Sequence, residues 1–116
     1  MPRKNKEEVK AYRREWYLKN RQKEIDRAAR NTRKREKENR QWLIDYKKTL
    51  KCSRCEEDHP ACIDFHHLDP NEKEVNVSAM IYSKGWTRDR MLLEIAKCEP
   101  LCSNCHRKEH FSEMYN

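Results

Sequence analysis

Residues 101–110 read LCSNCHRKEH. Cys102 and Cys105 have the CxxC spacing with which a tight turn presents two thiolates to one metal ion. A second CxxC at Cys52 and Cys55 supplies the other half of a closed, four-sulfur zinc site. His106 and His110 lie four residues apart, so a helix entered here carries both imidazoles on one face, one turn apart. That face needs a partner, and the adjacent His66 and His67 in IDFHHLDP are the candidates. Paired CxxC without a secretion signal favours zinc over two disulfides or four unrelated thiols. A metal joining the two knuckles also gathers the four histidines, whereas His59 reads as an ordinary core or surface residue.

A chain of 116 residues, 35% hydrophobic, holds one small globular unit, and a core of that size needs a staple. The charge is unevenly spread. Residues 1–51 carry 19 Lys+Arg against 8 Asp+Glu, a balance of +11; residues 52–116 carry 8 against 12, a balance of −4. A basic half beside an acidic, metal-binding half suits an arm that holds a polyanion, best a double-stranded DNA. A membrane is the competing polyanion, but no stretch has the apolar face of an interfacial helix or the length of a spanning one. MPRKNKEEVK has no apolar core of a signal peptide, so the expected location is the reducing cytoplasm.

From Arg3 to His59 there is neither glycine nor proline, and Lys, Arg, Glu, Gln and Ala dominate, which predicts one long helix or two in series. A single helix over 6–50 would span roughly 65–70 Å, too long for so small a core to cover. Its apolar residues form islands, the last being Trp42, Leu43, Tyr46 and Leu50, which is expected to dock on the zinc module. A seam traced from Ile25 through Thr32, Glu36 and Asn39 is too polar for a coiled coil. The arginines and aromatics of AYRREWYLKNR instead suit phosphates and exposed bases or groove walls. Domains are expected at 1–50, the helical arm, and 51–116, the metal module.

Within the module, ACIDFHH alternates as a strand, with Asp64 and His66 on one face and Phe65 and His67 on the other. Cys62 reads as a small core residue, and Asp64 as either an acceptor for a ligating imidazole or a solvated carboxylate. LDPNEK predicts a turn and EVNVSAMI the return strand of a hairpin. Thr87 caps a predicted helix from Arg88 to about Lys97, with Met91, Leu92, Ile95 and Cys98 toward the core. The last helix is expected from about Asn104.

The combination of CxxC, FHHxDP and LCxNCHRxxH between Cys52 and His110 resembles the HNH endonucleases, in particular the zinc-stapled, phage-type branch with a ββα-metal site. The resemblance implies a small zinc-stapled ββα-metal module, and with the long basic helical arm before it the expected fold is α+β. It also implies a metal-dependent DNA endonuclease that leaves 5′ phosphates. By the same motif, His67 is the general base, and His66, His106 and His110 hold a catalytic divalent cation: Mg2+, Mn2+, Ni2+ or Zn2+. Cys52, Cys55, Cys102 and Cys105 hold structural Zn2+. Two positions depart from the pattern. His66 stands where many members have aspartate, and an all-imidazole set suits zinc, nickel, cobalt or manganese better than magnesium. Where the family's asparagine is expected the chain reads Ala96, Lys97, Cys98, leaving Asn104, or less favourably Asn76, for its role. Arg107 is either a phosphate contact or a surface arginine. A monomer would nick DNA and a homodimer could break both strands. If the chain is phage-encoded, it acts in the host cytoplasm or nucleoid. The rival readings are a non-catalytic zinc-ribbon DNA-binding protein, which leaves the histidines unexplained, and a charged helical scaffold or RNA-binding module.

Overall fold

A computed structural model describes residues 5–115. The chain is α+β and mostly helical, with a long N-terminal helix and one small antiparallel sheet. Helix α1 runs from Lys6 to Lys47. A reciprocal cap starts it: Asn5 Oδ1 accepts from the Glu8 N–H at 2.8 Å, and the Asn5 N–H donates to Glu8 Oε2 at 3.4 Å. The chain forms two compact units that divide between Arg35 and Glu36.

In the first unit no described residue is buried. Helical propensity and local pairs, such as Gln22 with Asp26 at 2.9 Å, support the helix there. The second unit takes in residues 36–47 of α1 because the face bearing Asn39 and Leu43 is buried in it. Leu43 packs with Val77, Met80, Ile81, Met91 and Ile95, flanked by Trp42 and Tyr46, so the last apolar island docks as expected. Asn39, polar on this seam, is buried and donates from Nδ2 to the Ile81 carbonyl at 3.0 Å. The polar break in the seam is therefore a directed hydrogen bond.

Strand β1 is Ile63–His67, α2 Val77–Met80, α3 Arg88–Ile95, β2 Cys98–Cys102 and α4 Ser103–Tyr115. The predicted return strand over EVNVSAMI is corrected: its second half is α2. Val77 and Met80 are buried at i, i+3 spacing, and the N–H groups of Glu74 and Val75 donate to the Glu94 side chain instead of a strand ladder. The partner of β1 is β2, antiparallel, with Ile63 opposite Cys102 and His67 opposite Cys98. Strand β2 leads directly into α4, so the sheet and the last helix are consecutive in space. Thr87 caps α3 as predicted, accepting from the Arg90 N–H at 3.1 Å. The only glycine, Gly85, turns the chain before it with φ of 82°. Among the described residues no helix is long and apolar enough to cross a membrane.

Candidate metal centres and cleft

All six cysteines are free thiols. The sulfurs of Cys52, Cys55, Cys102 and Cys105 lie within 4.8 Å of one another, and Cys55 and Cys102 approach to 3.6 Å. Four zinc–sulfur bonds of about 2.3 Å would form a tetrahedron with edges of about 3.8 Å, so the cluster is of the right size for a metal ion. In each knuckle a backbone N–H points at the first sulfur: Arg54 to Cys52 at 3.5 Å and Cys105 to Cys102 at 3.4 Å. Burial opposes ionisation of Cys52, but N–H donors from Cys102 and Arg54 and contact with Cys55 outweigh it and hold the thiol down to about 6. Hydrogen bonding to Cys102, then burial, pushes Cys105 up to about 12. One thiolate forms readily and resists the next, a repulsion that a divalent cation at the centre relieves. This cluster could hold a structural metal ion. Ile63, Leu101 and Leu50 pack around it.

Cys62 and Cys98 stand outside this cluster. Cys98 packs against the core and burial pushes its thiol up to about 11. Arg54, inside the first knuckle, pairs with Glu99 on β2 at 2.8 Å and with Glu109 on α4. The thiol cluster is thus tied to the helix that carries the histidines.

Alternation along β1 sends its two histidines to opposite sides. His66 meets α4: its ring lies 5.3 Å from those of His106 and His110, and donor atoms of the three fall within 4.8 Å. Nε2 of His106 and Nε2 of His110 are 2.9 Å apart, so one donates to the other. Asp64, on the same face of β1 as His66, lies 3.2 Å from Nδ1 of His106. Of the two readings of Asp64, the structure supports the acceptor: it orients that imidazole and leaves Nε2 toward the centre. Three neutral imidazoles in this arrangement could hold a borderline divalent ion.

His67 turns the other way, toward α3. Its Nε2 is 2.8 Å from Oε1 of Glu94, a carboxylate 1% exposed. Burial raises the cost of the Glu94 charge, but Lys97, His67 and the N–H groups of Glu74 and Val75 outweigh it and hold the carboxyl down to about 2. Nδ1 of His67 has no hydrogen-bond partner among the described residues. His67 and the three converging histidines all line one cavity of about 330 Å³, together with Lys47 and Lys73. Burial lowers the pKa of Lys47, partly countered by Asp64, and its Nζ lies 5.7 Å from the centre of the Phe65 ring.

Asn104 is exposed on the first turn of α4, and its side chain has no hydrogen bond among the described residues. Asn76 precedes α2 and lines the cavity without capping the helix through its side chain. Arg107 is exposed, and His59 accepts from the Ala61 N–H at 3.0 Å in the turn before β1. Glu94 was missed in the sequence, although it left a signal. It falls with Met91, Ile95 and Cys98 at i, i+3, i+4, i+7, a charge on the core face of an amphipathic helix, while the expected core residue Leu92 is 40% exposed. On α1, Tyr12, Trp16 and Tyr17 are exposed among Arg13, Arg14 and Lys19.

Comparison with protein-family models, curated proteins and solved structures gives no match to this chain.

Proposed function

We propose that the chain is a metal-dependent DNA endonuclease of the HNH type that hydrolyses phosphodiester bonds. The observation that carries this reading is the division of labour between adjacent histidines. His66 joins His106 and His110 in a three-imidazole cluster, while His67 is braced by a buried carboxylate and opens on the same cavity. The order β1, β2, α4 agrees with a ββα-metal module. Neither a plain zinc ribbon nor a helical scaffold has a use for that arrangement.

In this reading Cys52, Cys55, Cys102 and Cys105 hold zinc as a staple with no open position for substrate. His66, His106 and His110 hold a catalytic divalent cation, which when bound supplies charge stabilisation at the scissile phosphate and the leaving 3′ oxygen. Glu94 accepts the Nε2 proton of His67, which leaves the Nδ1 lone pair to take a proton from the attacking water. Lys47 and Lys73 present ammonium groups to the phosphate in the cavity that the four histidines also line. The arm contributes affinity through phosphate contacts, with its exposed aromatics available to bases or groove walls.

Incubation of supercoiled plasmid with the purified protein and a panel of divalent metals, with and without chelator, tests the reading. Metal-dependent conversion to open circles is expected. His67→Ala should lose about 10²–10⁴-fold in rate while keeping the cation, whereas His66→Ala or His106→Ala should lose both cation and activity. DNA binding without cleavage under every metal would favour the zinc-ribbon alternative.

A further inference from the structure

We infer that Glu113 is a fourth ligand of the imidazole centre, making it a three-histidine, one-carboxylate site for a cation of the Mn2+ class. The inference rests on the nuclease reading for the presence of a cation at that centre. Glu113 lies on α4 three residues after His110 and seven after His106, on the same helix face. Its carboxylate reaches two of the three imidazoles: Oε1 is 3.5 Å from Nε2 of His66 and Oε2 is 3.6 Å from Nδ1 of His110, and with Glu109 it forms a second donor group that shares His66 with the imidazole cluster.

Three carboxylates surround the imidazoles, and only one is free for this role. Asp64 sits behind His106 on its Nδ1. Glu109 falls within 4.8 Å of His66 and Glu113, but the Arg54 guanidinium already holds it in an ion pair. Glu113 has no lysine or arginine partner among the described residues, and it stands beside a second carboxylate at half exposure. Two adjacent carboxylates beside three imidazoles, with no lysine or arginine paired to Glu113 among the described residues, form an arrangement that a divalent cation would relieve.

A carboxylate oxygen is harder than an imidazole nitrogen, so adding it to the donor set favours manganese over zinc relative to three histidines alone. A carboxylate that only braced His110 through Nδ1 would affect all metals alike. The two roles separate in a metal titration. Protein carrying one zinc in the thiol cluster is titrated calorimetrically with MnCl2 and, separately, with ZnCl2, in wild type, Glu113→Gln, Glu109→Gln and His106→Ala. Glu113→Gln is expected to weaken Mn2+ binding by about 10-fold or more, with a clearly smaller loss for Zn2+. Glu109→Gln should bind both metals as wild type does. Cobalt bound in place of manganese should show altered visible absorption in Glu113→Gln, as expected when a ligand is lost. Equal losses for manganese and zinc, or no loss for manganese while His106→Ala loses the cation, overturn the assignment of Glu113 and leave the nuclease reading standing. If wild type takes up no second cation, both fall together.

Discussion

Replacing Glu94 by glutamine removes a charge from a place that water scarcely reaches. The carboxylate is 1% exposed and accepts from His67 and Lys97, each at 2.8 Å, and from the N–H groups of Glu74 and Val75 at 3.1 and 3.4 Å. A carboxyl held down to about 2 from 4.5 corresponds to about 3 kcal/mol in favour of the ionised form. The amide of glutamine cannot supply that, and its NH2 must face either Lys97 or the donors gathered on Oε1. Urea unfolding of metal-saturated protein at about pH 7 should therefore show Glu94→Gln less stable by about 3 kcal/mol. Because the folded-state pKa is depressed, the contribution is fully present above about 4.5 and is lost as pH falls through about 2. The gap between the two proteins should accordingly stay constant from about pH 6 to about pH 8. Loss of the carboxylate also removes the acceptor that fixes the His67 tautomer, so plasmid nicking should slow by at least about 10-fold. A stability difference under about 1 kcal/mol, no more than an ordinary neutral hydrogen bond, would refute the buried network.

Cys105→Ser should release about one equivalent of zinc per chain and unfold the second unit, since metal binding and folding are coupled in a site of this kind; metal analysis beside near-ultraviolet circular dichroism reads both. Leu43→Ala, at the point where α1 enters the core, should cost about 2–5 kcal/mol in chemical unfolding. Deleting residues 1–35 removes 14 Lys+Arg and 5 Asp+Glu, a balance of +9, while keeping Asn39 and Leu43 in place. DNA affinity should fall sharply and the slope of log affinity against log salt should flatten, with the melting temperature of the second unit retained. An unchanged salt slope would mean that the arm does not contact phosphate.

Much of the candidate site was legible because its signals are local. A CxxC knuckle closes on itself within four residues, and His106 and His110 share a helix face at any i, i+4 spacing. Alternation alone separates His66 from His67, and the absence of glycine and proline from Arg3 to His59 predicted the long helix. The apolar run Trp42, Leu43, Tyr46 also announced where that helix would meet a core.

Pairing and orientation across distant segments were not legible. EVNVSAMI alternates well enough for a strand, yet β1 pairs with Cys98–Cys102, and Glu94 captures the N–H groups that a hairpin would have used. Asn39 looked like a polar break until the Ile81 carbonyl, 42 residues away, became its partner. Sequence also leaves Glu109 and Glu113 equivalent: both are glutamates on the histidine-bearing helix, and only the fold brings Arg54 to one and two imidazoles to the other. Sequence alone thus determined which residues could bind metal, because coordination chemistry and helix periodicity act over a few residues. The tertiary structure decided which side chain braces which, because a buried polar group takes whatever partner the distant chain delivers and cannot be left without one.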